Sequence, residues 1–151
     1  MKSIKKIELR ATRVKVAESC VVYHTTIVGP HAVVRVARSL LKGEDQEVFL
    51  VFLLDCRNKI SGYSEIARGG IDTCPVDPRV VFRTAIVQGA SGIVLAHCHP
   101  SGNVSPSSED LALTTRLVEA GHLLGMPVLD HVIIGQGHWV SLAEKGLLEK
   151  K

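Results

Sequence analysis

The chain is poor in aromatic residues: three Phe, two Tyr and one Trp make up 4% of 151 residues. That scarcity removes the stacking platform with which single-stranded nucleic acid is usually held. The formal charge of +3 is too small to argue for nucleic acid without a concentrated basic stripe. The nearest candidate, Lys2, Lys5, Lys6, Arg10, Arg13 and Lys15, reads as a solvated terminal segment. Cys20, Cys56, Cys74 and Cys98 contain no C-x-x-C pair, which argues against a zinc ribbon and a thioredoxin-type redox site. No apolar region with a small-residue cleavage site follows Met1-Lys2-Ser3-Ile4-Lys5-Lys6, so reduced thiols and a cytoplasmic location are expected. The apolar runs Val48–Leu54 and Val132-Ile133-Ile134 are too short to span a bilayer, so no membrane partner is expected. Repeats, low-complexity tracts and flexible linkers are also missing.

What is present reads as one α/β domain, with 46% hydrophobic and 22% charged residues. Residues 1–28 carry no assignable role, and 29–151 read as the domain. A first helix is expected from Gly29-Pro30 to just before Gly43, because Val33, Val34, Ala37, Leu40 and Leu41 follow helical spacing. Residues 47–54 read as a central strand, because the apolar run from Val48 to Leu54 is continuous, the mark of a strand buried on both faces. A turn at Asp55-Cys56-Arg57-Asn58 leads into a second strand at 59–66, making a hairpin. Asp77 and Pro78 open a second helix as cap and first residue, and Gly89 follows its end. Residues 92–96 form a short strand that delivers His97 to its edge. Ser105 or Ser107 caps a third helix reaching about Leu124, with Glu109 and Asp110 in its first turn. Strands at 128–134 and 138–141, joined by Gly135-Gln136-Gly137, complete a mixed sheet sandwiched by helices.

The chemistry concentrates in His97-Cys98-His99-Pro100-Ser101-Gly102 and Pro106-Ser107-Ser108-Glu109-Asp110. On extended backbone, His97 and His99 project to one side while Cys98 points to the other. Asp110, returned by the loop and the start of a helix, supplies a third ligand. Two imidazoles and one carboxylate suit one zinc ion per chain and leave a coordination position open, the arrangement of catalytic rather than structural sites. Iron and manganese share that ligand preference.

A water activated at such a site needs a base, and Glu47, Glu65 and Glu109 compete for that role. Glu109 points about 100° from Asp110 on a helix, which weakens its case. The Ser107 hydroxyl either stabilises an oxyanion or caps the helix; Ser101 reads as a turn residue. Asp130-His131, heading an apolar strand, reads as a supporting pair behind the ligands. His24, His31, His122 and His138 lack partner spacing and read as surface or packing residues. The absence of H-E-x-x-H excludes a thermolysin-like zinc helix. The missing P-C-x-x-C signature excludes a zinc nucleobase deaminase.

These residues resemble the RadC family, a bacterial branch of the MPN/JAMM metalloprotease superfamily. The superfamily pattern is a Glu at the first core strand, then H-x-H, seven residues, Ser, two residues and Asp. Glu47, His97, His99, Ser107 and Asp110 match it, followed by Thr114. Supporting matches are Glu47-Val48-Phe49, Leu54-Asp55, Gly69, Asp77-Pro78-Arg79 and Leu129-Asp130-His131-Val132-Ile133-Ile134-Gly135, and the similarity spans about residues 29–146.

The resemblance implies an MPN/JAB fold related to cytidine deaminases, with His97, His99 and Asp110 binding zinc. It implies Glu47 as acid and base, in preference to Glu65, and Ser107 as oxyanion support. The chain departs from the pattern at Cys98, usually Asn, and at Gly70 and Val80, more often Thr and Glu. The upstream helix-hairpin-helix segment of longer relatives is expected to be absent.

The leading expectation is a zinc-dependent hydrolase of peptide or isopeptide bonds, with protein or peptide substrates. The alternatives are a DNA-repair-associated protein acting through nucleic acid or protein partners, and a non-catalytic MPN scaffold. The scaffold reading is weakened because every motif position is kept. Oligomeric state is not legible in the sequence.

Overall fold

A computed structural model describes Val22 and residues 25–69 and 76–148. Cys20, His24, Gly70, Cys74 and the basic residues between Lys2 and Lys15 lie outside the described residues. Three helices, α1 (Pro30–Leu40), α2 (Pro78–Gln88) and α3 (Ser108–Leu124), alternate with five strands. The strands are β1 (Val48–Leu54), β2 (Ile60–Arg68), β3 (Gly92–Cys98), β4 (Val128–Ile134) and β5 (Trp139–Ser141). They form one mixed sheet in the order β2-β1-β3-β4-β5. Only the β3–β4 pairing is parallel, and α3 makes the crossover that a parallel pair requires.

Burial explains the strand sequences. All seven residues of β1 and of β3 are buried, because helices cover both sheet faces and leave no solvated side to alternate against. On one face α1 packs Val33, Val34, Val36 and Ala37 against Leu50, Phe52, Val94, Ala96 and Cys98. On the other, Val81, Phe82 and Ala85 of α2 and Leu113 and Leu117 of α3 meet Phe49, Val51, Ile93 and Leu95. The edge strand β2 is buried at Ile60 and Ala67 but exposed or half-buried between them.

The helix ends follow from their capping chemistry. Asp77 accepts the Arg79 N–H at 2.8 Å, Pro78 occupies the first turn, and Gly89 ends α2 in the left-handed region at φ 69°. Between β1 and β2, Asp55 Oδ1 accepts the N–H groups of Arg57 and Lys59, and Asn58 takes φ 58°.

Two strand boundaries correct the sequence reading, and the cap of α3 settles a choice it left open. The first strand starts at Val48, so Glu47 sits just outside it. Ser107, not Ser105, caps α3. β3 continues through Cys98, because β1 pairs as far as Phe49–His97 and β4 pairs as far as Cys98–Ile134. His97 therefore lies within a rigid central strand rather than at its edge. Among the described residues, no helix is long and apolar enough to cross a membrane.

Candidate metal centre

The site forms where the C-terminal end of β3 meets the first turn of α3. His97 sits on the α2/α3 face of the sheet, stacked on Phe49 at 5.7 Å between centroids. His99 follows β3 and is tied to the end of β4: its N–H donates to Ile134 O at 2.8 Å, and the Gly102 N–H of the loop donates to His99 O at 3.0 Å. The loop closes on Gly135, where a Cβ would lie 2.6 Å from Gly102 O, so only glycine permits this approach.

Asp110 arrives from α3 through a capping box. Ser107 Oγ accepts the Asp110 N–H at 3.0 Å, and Asp110 Oδ2 accepts the Ser107 N–H at 2.8 Å. This reciprocal pair locks the carboxylate rotamer, with Oδ1 toward His97 and Oδ2 toward His99.

One ligand atom from each of His97, His99 and Asp110 lies within 4.8 Å of the others. The two Nε2 atoms are 2.9 Å apart, and Asp110 approaches them at 3.3 Å from His97 and 3.5 Å from His99. Asp110 Oδ1 is buried without a hydrogen-bond partner, an arrangement that costs free energy unless another group satisfies it. His99 Nδ1 lies 2.6 Å from Asn103 O. A carbonyl only accepts, so the proton is on Nδ1 and the Nε2 lone pair faces the site. An orphaned carboxylate oxygen and a converging imidazole lone pair fit a divalent cation of the zinc type.

Burial raises the Asp110 pKa, but the imidazoles of His97 and His99 beside it outweigh this and hold the carboxyl well below its ordinary range. Asp110 in turn raises His99. Burial holds His131 well below the ordinary histidine value.

The three candidate carboxylates differ in their surroundings. Glu47 is half-buried, and extending the Phe49–His97 register sets it opposite His99, whose ionisation it influences. Glu65 is tied up with Arg68 at 2.9 Å, which also pairs with Glu44. Glu109 is exposed and accepts from Ser108 at 3.0 Å. Cys98 faces away, as its strand position predicts. Its thiol donates to Gln46 O at 3.4 Å within the α1 layer, where burial pushes its pKa up.

Asp130 and His131 diverge, as successive strand residues must. Asp130 accepts from His131 N at 2.7 Å, Ser141 Oγ at 2.7 Å and Ala143 N at 3.1 Å, holding β4 to the turn after β5. His131 is fully buried and contacts His97 at 2.8 Å and Thr114 at 2.6 Å. Two contributors carried no assigned role in the sequence reading, Thr114 and the Asn103 carbonyl. Thr114 sits four residues after Asp110, the spacing that places both on one helix face. A backbone carbonyl leaves no residue-type signal.

Of the remaining histidines, His31 packs edge-on against Trp139 at 4.8 Å. His122 lines a separate apolar cavity of about 1030 Å³ with Val118, Leu123, Leu129 and Leu148, and none of the converging ligands borders it.

Comparison with known proteins places residues 27–147 within the family model described as RadC-like JAB domain. A UPF0758 protein of Caldanaerobacter subterraneus is 46% identical over 121 residues, covering 80% of this chain and 52% of that protein. A UPF0758 protein of Moorella thermoacetica is 42% identical over 124 residues, covering 82% and 54%. One from Cellvibrio japonicus is 43% identical over 119 residues, covering 79% and 53%. The chain thus spans about half the length of the curated relatives it matches.

Proposed function

The chain belongs to the RadC-like JAB domain family, and from that premise we propose that it is a zinc-dependent hydrolase acting on peptide or isopeptide bonds. The observation that carries the reading is the convergence of His97, His99 and the unpartnered Asp110 Oδ1. The imidazoles and the carboxylate hold the ion. When bound, zinc supplies Lewis acidity that makes water a competent nucleophile near neutral pH.

Glu47 takes the proton released as water attacks the carbonyl and returns it to the leaving amine. Its half-buried position opposite His99 suits that transfer. Ser107 donates its hydroxyl proton to the developing oxyanion. Asn103 O and the capping box hold two ligands in place before any ion arrives, which limits the reorganisation needed on binding.

The test is elemental analysis of untagged protein beside a His97→Ala/His99→Ala variant, followed by hydrolysis assays on peptide and isopeptide substrates. About one zinc per chain, lost in the variant, with hydrolysis that depends on it, supports the reading. A wild type that binds no zinc after supplementation overturns it and favours a non-catalytic scaffold.

A further inference from the structure

Behind the ligands runs a chain of buried polar contacts whose protons can each be located. Thr114 Oγ1 lies 2.6 Å from the backbone oxygen of Asp110. A carbonyl cannot donate, so the single hydroxyl proton of Thr114 is given to it. The same Oγ1 lies 2.6 Å from His131 Nδ1 and, its proton spent, accepts there; His131 carries its proton on Nδ1. His131 is fully buried, its aromatic contacts are with Phe49 and His97, and among the described residues its ring nitrogens hydrogen-bond to Thr114 and His97. Its carboxylate contact, with Asp130, is made by the backbone N–H and not by the ring, and an imidazolium with no carboxylate on its ring is costly in such a place. Its Nε2 is therefore an acceptor, and the 2.8 Å contact to His97 Nδ1 requires the proton to sit on His97.

We propose that Thr114 and His131 are positioning residues that fix His97 as its Nδ1–H tautomer, turning its Nε2 lone pair toward the cation site. The inference rests on the metal-binding reading above. It accounts for the unpartnered state of Asp110 Oδ1, since His97 Nε2, 3.3 Å away, has no proton to offer. With His99 fixed by Asn103, two acceptor nitrogens face each other at 2.9 Å, a repulsive pair until a cation lies between them. The relay also joins two ligands on different elements: it starts on the backbone of Asp110 in α3 and ends on the ring of His97 in β3. A helix turn and a strand are thereby set in register at the site.

The test uses the full chain. Long-range 15N–1H NMR of the imidazoles in metal-free protein at mildly alkaline pH reads the tautomers directly. Zinc affinity is then measured by chelator competition for wild type, Thr114→Val and Thr114→Ser. His97 and His131 are both expected as Nδ1–H tautomers in wild type. Thr114→Val is expected to lose the His131 tautomer preference and to bind zinc about 10- to 100-fold more weakly, whereas Thr114→Ser keeps both properties. His97 observed as the Nε2–H form overturns the proposal whether or not Thr114→Val folds, and so does a folded Thr114→Val with wild-type zinc affinity. A wild type that binds no zinc defeats the metal-binding reading instead, and the tautomers still decide the relay.

Discussion

The Ser107 hydroxyl has two lone pairs and one proton, and the helix cap uses a single lone pair, accepting from Asp110 N–H at 3.0 Å. Capping and oxyanion support are thus compatible uses of one group. Ser107→Ala is expected to lower stability by about 1 kcal/mol in urea denaturation through the lost cap, and to lower kcat by roughly 100-fold or more through the lost donor. A stability loss with unchanged kcat would confine Ser107 to the cap. Glu47 makes a sharper case, since it is not among the three converging ligands. Glu47→Gln should retain zinc while hydrolysis falls by about 100- to 10,000-fold, checked by metal content and turnover on one sample. Activity near wild type would return the general-base role to another group.

The ends of the secondary elements hold the site together. The His99 loop rests on Gly135 at the end of β4, where a Cβ would meet both Gly102 O at 2.6 Å and Val104 Cγ1 at 2.8 Å. Gly135→Ala must displace the loop that carries His99, so zinc affinity is expected to fall more than thermal stability; equal losses would show a general packing defect. In α2 the cap itself titrates. Hydrogen bonds from the Arg79 side chain, then its backbone N–H, hold Asp77 below its ordinary value of 3.8. A depressed folded-state pKa contributes stability that is present above the unfolded value and lost as pH falls through the folded one. Asp77→Asn, which still caps, should therefore flatten the acid side of a urea-midpoint-against-pH curve below about pH 4; an unchanged acid side would remove Asp77 from that dependence.

Among the described residues, the cores above and below the sheet contain none of His97, His99 and Asp110, and His97 touches them through its packing on Phe49. Metal-free protein is therefore expected to stay folded. Saturating zinc should raise the unfolding free energy through mass action alone, by about 2.7 kcal/mol at a hundredfold excess over Kd. Circular dichroism melts with and without a chelator check this. Loss of the fold on chelation would mark the ion as structural. Leu117, fully buried between α3 and the sheet, should by contrast cost about 2–5 kcal/mol on truncation to Ala, with or without zinc.

Local rules were enough for much of this protein. The continuous apolar run at 48–54 announced a strand covered on both faces, 92–96 announced a short apolar strand, Asp77-Pro78 and Gly89 bracketed α2, and H-x-H with the downstream Ser and Asp singled out the residues that converge, His97, His99 and Asp110. Each signal lies within a few residues, where periodicity and capping chemistry act. Tertiary structure decided what depends on neighbours distant in sequence. Pairing with β1 and β4 carried β3 through His97 and Cys98, where the apolar pattern alone ended at Ala96. Ion pairing with Arg68 occupied Glu65, while Glu47 lies just before β1, next to the end of the β1–β3 register at Phe49–His97. The contact of His131 with His97 arose only when β4 paired beside β3, and its contact with Thr114 only when α3 closed over the sheet. A tautomer is set by the partner of a ring nitrogen, and in this fold that partner lies 34 residues away.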